Sequence, residues 1–212
     1  MEDLIELRDG WWWPKYDRKC YPYLLKEHYV PKTVSDFCNK KQVIVQAGGN
    51  AGMYVKMYGD IFESVYTFEP DPVNFYCLTK NTGNNVVKFQ SCIGNKRELV
   101  TLSYDRHRDD FKRSNSGGFW VVPNGNIPVV KIDDLNLPIC DLIHLDIEGF
   151  EGEAILGAQE TIKRTKPIIA LEIRGHGDQY GWPDQRIKDL VISLGYEIIS
   201  SVSHDTIFKP IV

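Results

Sequence analysis

Two runs decide how this chain reads: Val43-Ile44-Val45-Gln46-Ala47-Gly48-Gly49-Asn50-Ala51-Gly52 and, a little further on, Val65-Tyr66-Thr67-Phe68-Glu69-Pro70-Asp71-Pro72. In the first, a short apolar stretch runs directly into glycines at 48, 49 and 52, the signature of a buried strand that turns sharply into a helix. In the second, another short strand ends on the carboxylate of Glu69. Glycine lets the backbone turn tightly and approach a ligand, and the unpaired amides at a helix start can meet an anionic group. An acid at the tip of the neighbouring strand can accept both hydroxyls of a ribose. The stretch predicts a nucleoside-cofactor site.

The glycines leave the nucleoside open. A dinucleotide fingerprint, G-x-G-x-x-G ending on Gly49 and Gly52, needs glycine at 47, where Ala47 stands. The pattern acid-x-G-x-x-x-G, used by S-adenosylmethionine enzymes, fits Gly48 and Gly52 but finds Gln46 in the acid's place.

With 212 residues, 42% of them hydrophobic, the chain can fill one α/β core and gives no case for two. Residues 1–42 read as an aromatic-rich extension packed on a domain of 43–212; they hold Trp11, Trp12, Trp13, Tyr16, Tyr21, Tyr23 and Tyr29, interleaved with Pro14, Pro22 and Pro31. Adjacent tryptophans cannot all point one way in a regular element, so at least one meets a ligand, a partner or the rest of the chain. A partly helical stretch from Leu24 to Cys38 is broken at Pro31. The net charge of −4 provides no global attraction to nucleic acid or membrane. Five scattered cysteines without a C-x-x-C pair read as reduced thiols, and Met-Glu-Asp at the start is unlike a signal peptide; both point to the cytoplasm. No apolar run approaches bilayer length, so no membrane role is expected. The oligomeric state leaves no mark in the sequence.

Downstream of the cofactor stretch, Asp71-Pro72 is a helix-starting pair, Val86 to Cys92 a third strand, and Gly94 to Lys96 a hairpin-like turn before a strand from Leu99 to Tyr104. Asp105 to Asn126 reads as a long loop. Its Arg106, Arg108, Lys112 and Arg113 would meet an acceptor's phosphate or a nucleic acid, or form a solvated face balanced by Asp105, Asp109 and Asp110. A strand-like run, Ile127 to Ile132, follows, and then Asp141 to Leu145 enters Asp146-Ile147-Glu148-Gly149-Phe150-Glu151, acids and glycines at the carboxyl end of a buried strand, where open α/β sheets place their chemistry. One helix is expected from about Glu151 to Lys163, then a buried strand Ile168 to Glu172, a mobile turn at Gly175-His176-Gly177, a helix from Pro183-Asp184, and an antiparallel hairpin from Tyr196 to Phe208.

That closing hairpin departs from the plain dinucleotide fold and matches the seven-stranded, Rossmann-like sheet of class I methyltransferases, mostly parallel with an antiparallel hairpin at its C-terminal end. The segments Val45 to Gly52, Thr67 to Pro72, His144-Leu145-Asp146-Ile147-Glu148-Gly149-Phe150-Glu151 and Ile155-Leu156-Gly157-Ala158 resemble the FkbM-type methyltransferases, the D-I-E-G-x-E stretch being the specific part. The likeness runs from about Val43 to Phe208. It implies S-adenosylmethionine as methyl donor and transfer to a hydroxyl, frequently on a sugar or natural product. By position, it implies cofactor contacts at Gln46, Gly48, Gly49, Asn50, Gly52, Glu69, Pro70 and Asp146, with Ser91, Cys92 and Ile93 flanking the adenine. Gln46 departs from the family's usual acid; its amide can accept a hydrogen bond but brings no charge, which bears on cofactor affinity.

A hydroxyl is a poor nucleophile at neutral pH and needs a base or a metal. Asp146 and Glu172, at the ends of neighbouring central strands, could face one crevice with Glu148, His144 and His176 nearby. As oxygen ligands they would suit Mg²⁺ or another divalent cation; without a metal, Asp146 or His176 would be the general base. Glu148 and Glu151 could instead serve the following helix start, and His144 could be a satisfied core histidine. The expected acceptor is a small-molecule or glycan hydroxyl. The alternatives are nucleic acid reached through 106–113, or a domain that binds a nucleoside without catalysis.

Overall fold

The structure, a computed structural model, describes residues 1–104 and 114–211. An antiparallel hairpin of β1 (Ile5–Arg8) and β2 (Trp11–Pro14) is followed by the short helices α1 (Cys20–Lys26) and α2 (Val30–Ser35). Then come β3 (Val43–Ala47), α3 (Met53–Ile61), β4 (Ser64–Phe68), α4 (Pro72–Asn81) and β5 (Val86–Phe89). A small sheet is made by β6 (Cys92–Ile93), β7 (Leu99–Tyr104), β8 (Phe119–Pro123) and β9 (Ile127–Val130). The chain then builds β10 (Leu142–Leu145), α5 (Glu151–Leu156), α6 (Gln159–Thr165), β11 (Ile168–Glu172), α7 (Asp184–Ser193), β12 (Tyr196–Val202) and β13 (Asp205–Pro210).

The large sheet has seven strands in the order β5-β4-β3-β10-β11-β13-β12. Its pairings from β5 to β11 are parallel, and β13 runs antiparallel to both β11 and β12. Every residue of β10 and β11 is buried, which is why both strands are largely apolar rather than alternating, with His144 as the polar exception inside β10 and Glu172 at the end of β11. From β3 the chain leaves to one side for β4 and β5 and later returns on the other side for β10 and β11. The crevice at this switch point, above the carboxyl ends of β3, β4, β10 and β11, is the position for a ligand.

Local chemistry sets the ends. Asp71 accepts the amides of Val73 (3.0 Å) and Asn74 (2.9 Å) and Pro72 occupies the first turn, starting α4 at the tip of β4. On α7, Ile187 and Val191 are buried and Leu190 and Leu194 pack beside them on the core. Among the described residues, no helix is long and apolar enough to cross a membrane.

Several expectations change. The helical stretch expected to break at Pro31 is two helices, α1 and α2, parted just before it, and Pro31 sits in the first turn of α2, where its missing amide costs nothing. The single helix expected over 151–163 is two, α5 and α6, because a Cβ at Gly157 would lie 2.1 Å from the carbonyl oxygen of Gly94, and the chain turns at that contact. The start of α6 is capped from a distance by Asp133, which accepts the amides of Glu160 and Thr161. Residues 94–96 are no hairpin turn, since β9 lies between β6 and β7. Part of the expected loop is strand β8, paired antiparallel with β7. His176 to Tyr180 form a 3-10 helix rather than an open turn. The basic residues Arg106, Arg108, Lys112 and Arg113 lie outside the described residues.

The aromatic N-terminal segment packs on the start of α3 and on α4. Trp13, fully buried, joins a cluster with Tyr21, Leu24, Met53, Val73 and Cys77, and meets Tyr21 edge to face at 5.0 Å. The Trp12 backbone exchanges two hydrogen bonds with the Asn81 side chain (2.9 and 2.8 Å), and Lys80 lies over its ring.

Candidate functional site

The turn after β3 is fixed by its neighbours. Gly48 has φ +80°, and a Cβ there would sit 1.8 Å from the carbonyl oxygen of Asp146. A Cβ on Gly49 would fall 2.5 Å from the Leu78 side chain and 2.9 Å from the Thr67 hydroxyl. Both glycine amides donate to the carbonyl of Phe68 (3.1 and 3.0 Å), binding the turn to the end of β4. Gly52, with φ +93°, caps α3 and packs against Leu78 of α4.

Glu69 follows directly. One carboxylate oxygen accepts the amide of Asn50 at 2.7 Å and the other the amide of Asp71 at 2.8 Å. Burial, with Asp71 adding to it, pushes this carboxyl up to about 8. Gln46, also buried, accepts the Thr67 hydroxyl on Oε1 (2.6 Å) and donates from Nε2 to the carbonyl of Ala47 (3.0 Å). An acid in this place would turn an oxygen toward that carbonyl, so the amide suits this backbone better than the family's usual residue.

At the ends of β10 and β11, Asp146 and Glu172 lie together. Burial and the neighbouring Asp146 carboxyl push Glu172 far above the usual carboxylate range, and burial raises Asp146 too. Arg174 Nε approaches Glu172 Oε2 at 3.2 Å. Glu148, with φ +55°, accepts the amide of Gly118 (2.9 Å) and lies 2.8 Å from His176 Nδ1, an ion-pair contact outside hydrogen-bonding alignment. Burial works against the charge on Glu148, but His176 and Arg174 outweigh it and hold the carboxyl below its ordinary value; Glu148 in turn raises His176.

These elements enclose a cavity of about 550 Å³. Of the sequence-derived candidates, Gln46, Gly48, Gly49, Asn50, Glu69, Pro70, Ser91, Cys92, Ile93, Asp146 and Glu172 line it, whereas Gly52 and His176 do not. His144 borders it too, but both ring nitrogens are engaged beneath the floor: Tyr58 Oη lies 2.6 Å from Nδ1 and Asp205 Oδ2 3.1 Å from Nε2. Glu151 turns back to the loop, accepting the amides of Ile147 and Gly149. Sequence reasoning missed Tyr23 and Leu24 of α1, Tyr54 and Arg174, while Ser116 to Gly118, within the segment read as a long loop, line the cavity as well. Tyr23 lies within electrostatic reach of Glu172 and Arg174, and Cys20 of Asp146 and Glu148. Nothing local in the sequence marks these meetings, which depend on how α1 packs across the sheet ends.

The cavity fits a nucleoside. Glu69 offers its carboxylate at the tip of β4, the glycine turn has no side chains to obstruct approach, and Ser91 Oγ is buried without a hydrogen-bond partner beside Cys92 and Ile93. Among the described residues, no group of three or more His, Cys, Asp or Glu side chains gathers as metal ligands. Asp146 and Glu172 are brought together at the ends of neighbouring strands.

The sequence matches the methyltransferase FkbM domain over residues 46–198. The chain belongs to the FkbM methyltransferase family. Its family is one of methyltransferases, and its fold is shared with S-adenosylmethionine-dependent methyltransferases. Its structure resembles an FkbM methyltransferase from Methylobacillus flagellatus (20% identity, TM-score 0.50), with 79% of this chain aligned to 43% of that one. The chain therefore spans less than half the length of that relative. It also resembles a TehB-like SAM-dependent methyltransferase from Corynebacterium glutamicum (12% identity, TM-score 0.53) and a SAM-dependent methyltransferase from Aquifex aeolicus (12% identity, TM-score 0.51), each aligned over 90% of this chain and 94% of the other. These likenesses establish the fold. No curated protein matches the sequence.

Proposed function

We propose that this FkbM methyltransferase transfers a methyl group to the oxygen of a hydroxyl on a sugar or other small-molecule acceptor. The observation that carries the reading is the Asp146–Glu172 pair at the ends of β10 and β11, facing the same cavity as Glu69. When bound, S-adenosylmethionine supplies an electrophilic methyl carbon on a good leaving group. The chain's own residues have two tasks, positioning and proton removal. Glu69 accepts the ribose hydroxyls, the glycine turn admits the amino-acid end, and Ser91 with Cys92 and Ile93 borders the base. Asp146 accepts the proton of the acceptor hydroxyl, while Glu172, oriented by Arg174, holds the second proton of the pair. All five cysteines are free thiols, which supports a cytoplasmic setting.

Incubation with tritiated-methyl S-adenosylmethionine and a panel of methyl glycosides, phenols and RNA oligonucleotides tests the reading. Label should pass to a hydroxylated small molecule, and D146N should slow transfer by about 100-fold or more, the scale of general-base loss. Labelling of RNA alone, or transfer that survives D146N unchanged, would remove it.

A further inference from the structure

The family match begins at residue 46, yet Lys19, Cys20, Tyr23 and Leu24 line the cavity. What holds them there is Asp17, whose surface is completely buried. Its carboxylate accepts Trp13 Nε1 (2.7 Å) and the backbone amides of Tyr21 (2.8 Å), Cys20 (3.1 Å), Lys19 (3.3 Å) and Ser116 (3.1 Å). A buried carboxylate is tolerated when its lone pairs are filled in this way, and charge-assisted bonds of this kind are the strong ones. A further bond, from the Arg18 amide to the Ser114 carbonyl (2.8 Å), ties the same two segments together.

The chain of bonds continues into the donor site. The Ser116 carbonyl accepts Nδ2 of both Asn50 (2.9 Å) and Asn74 (2.7 Å), and the Asn50 amide is the one that donates to Glu69. Asn50 is itself in the left-handed region, φ +46°, which asparagine tolerates better than other side-chain-bearing residues. A continuous path of hydrogen bonds thus runs from Trp13 through Asp17, Ser116 and Asn50 to Glu69. We propose that Asp17, outside the matched family region, is a positioning residue for the methyl-donor site: by holding Ser116 it fixes Asn50 and Asn74, and through Asn50 it sets the carboxylate of Glu69. The proposal rests on the donor reading of the Glu69 cavity.

The test uses the full chain and S-adenosylhomocysteine as the probe. By calorimetry, D17N should weaken binding at least tenfold, and the loss should shrink to about threefold or less when Glu69 is already alanine, because the path then has no end to act on. An equal loss in both backgrounds marks a merely structural role and overturns the proposal, as does a D17N chain that binds within twofold of the natural one. Should D17N fail to fold, hydrogen exchange on the unaltered protein decides. Saturation with S-adenosylhomocysteine should slow the amides of Ser116, Cys20 and Tyr21 at least tenfold; no change there overturns the proposal. If the unaltered protein takes up no S-adenosylhomocysteine, it is the donor reading that fails; if it binds and D17N binds as well, only the role of Asp17 falls.

Discussion

The Cβ that Gly48 lacks would lie 1.8 Å from the carbonyl oxygen of Asp146. Two central strands, β3 and β10, therefore meet at their carboxyl ends with room for no side chain between them. That contact brings the glycine turn and the backbone of Asp146 side by side. Gly48→Ala should destabilise the fold by at least about 2 kcal/mol, since the added methyl group meets both a backbone clash and a left-handed φ. Urea unfolding measures this; a loss below 0.5 kcal/mol, the ordinary scatter of a neutral substitution, would mean that the strands part easily there.

Gln46 donates from Nε2 to Ala47 and accepts from Thr67 within a buried environment. Q46E should cost about 1–3 kcal/mol at pH 8, where an ionised oxygen faces a carbonyl. The introduced carboxyl would be raised by burial, so the loss should shrink as the pH falls and the acid regains a proton to donate. Unfolding at pH 5 and pH 8 compares the two; a variant equally stable at both would show that the amide hydrogen does nothing here.

Glu148 and His176 contribute stability of limited pH range. The carboxyl is held below its ordinary value, so its contribution is present above that ordinary value and lost as the pH falls through the lowered one. The imidazole is raised, so its contribution is present below its ordinary value and lost as the pH rises through the raised one. The pair is at full strength between about pH 4.3 and about pH 6.5, the ordinary values of the two groups. Melting temperature followed against pH for the natural chain and E148Q should differ most inside this window and converge on both sides. A constant difference would contradict the pairing.

What could be read in advance follows from burial. Strands β3, β10 and β11 are covered on both faces and so are mostly apolar, apart from the buried Gln46 and His144, and each opens at its carboxyl end on a residue with a polar or glycine role. Asp71 and Pro72 announce α4 because a helix start needs its amides satisfied locally. The missed features share one cause, dependence on distant packing. Gly157 ends α5 because Gly94 lies against it, β8 exists because β7 pairs with it, and Tyr23 reaches the carboxyl cluster because Asp17 anchors α1. His176 does not line the cavity; its Nδ1 lies against Glu148, which does.

Glu69 also ties donor affinity to pH. Its carboxyl in the free protein is pushed up to about 8, and hydroxyl donors favour the ionised form. Affinity for S-adenosylhomocysteine should therefore increase as the pH rises toward 8 and level off above it, and E69Q should remove the dependence. Calorimetry from pH 6 to 9 gives the profile; affinity that falls over this range would place the ionised carboxylate away from the ribose.

The most direct measurement is calorimetric titration of the natural chain and E69A with S-adenosylhomocysteine at one pH. The natural chain should bind, and E69A should lose about 10- to 100-fold in affinity, the scale of a hydrogen bond to a charged group. No uptake by the natural chain at millimolar concentration, or equal uptake by both, would contradict a donor site built on Glu69.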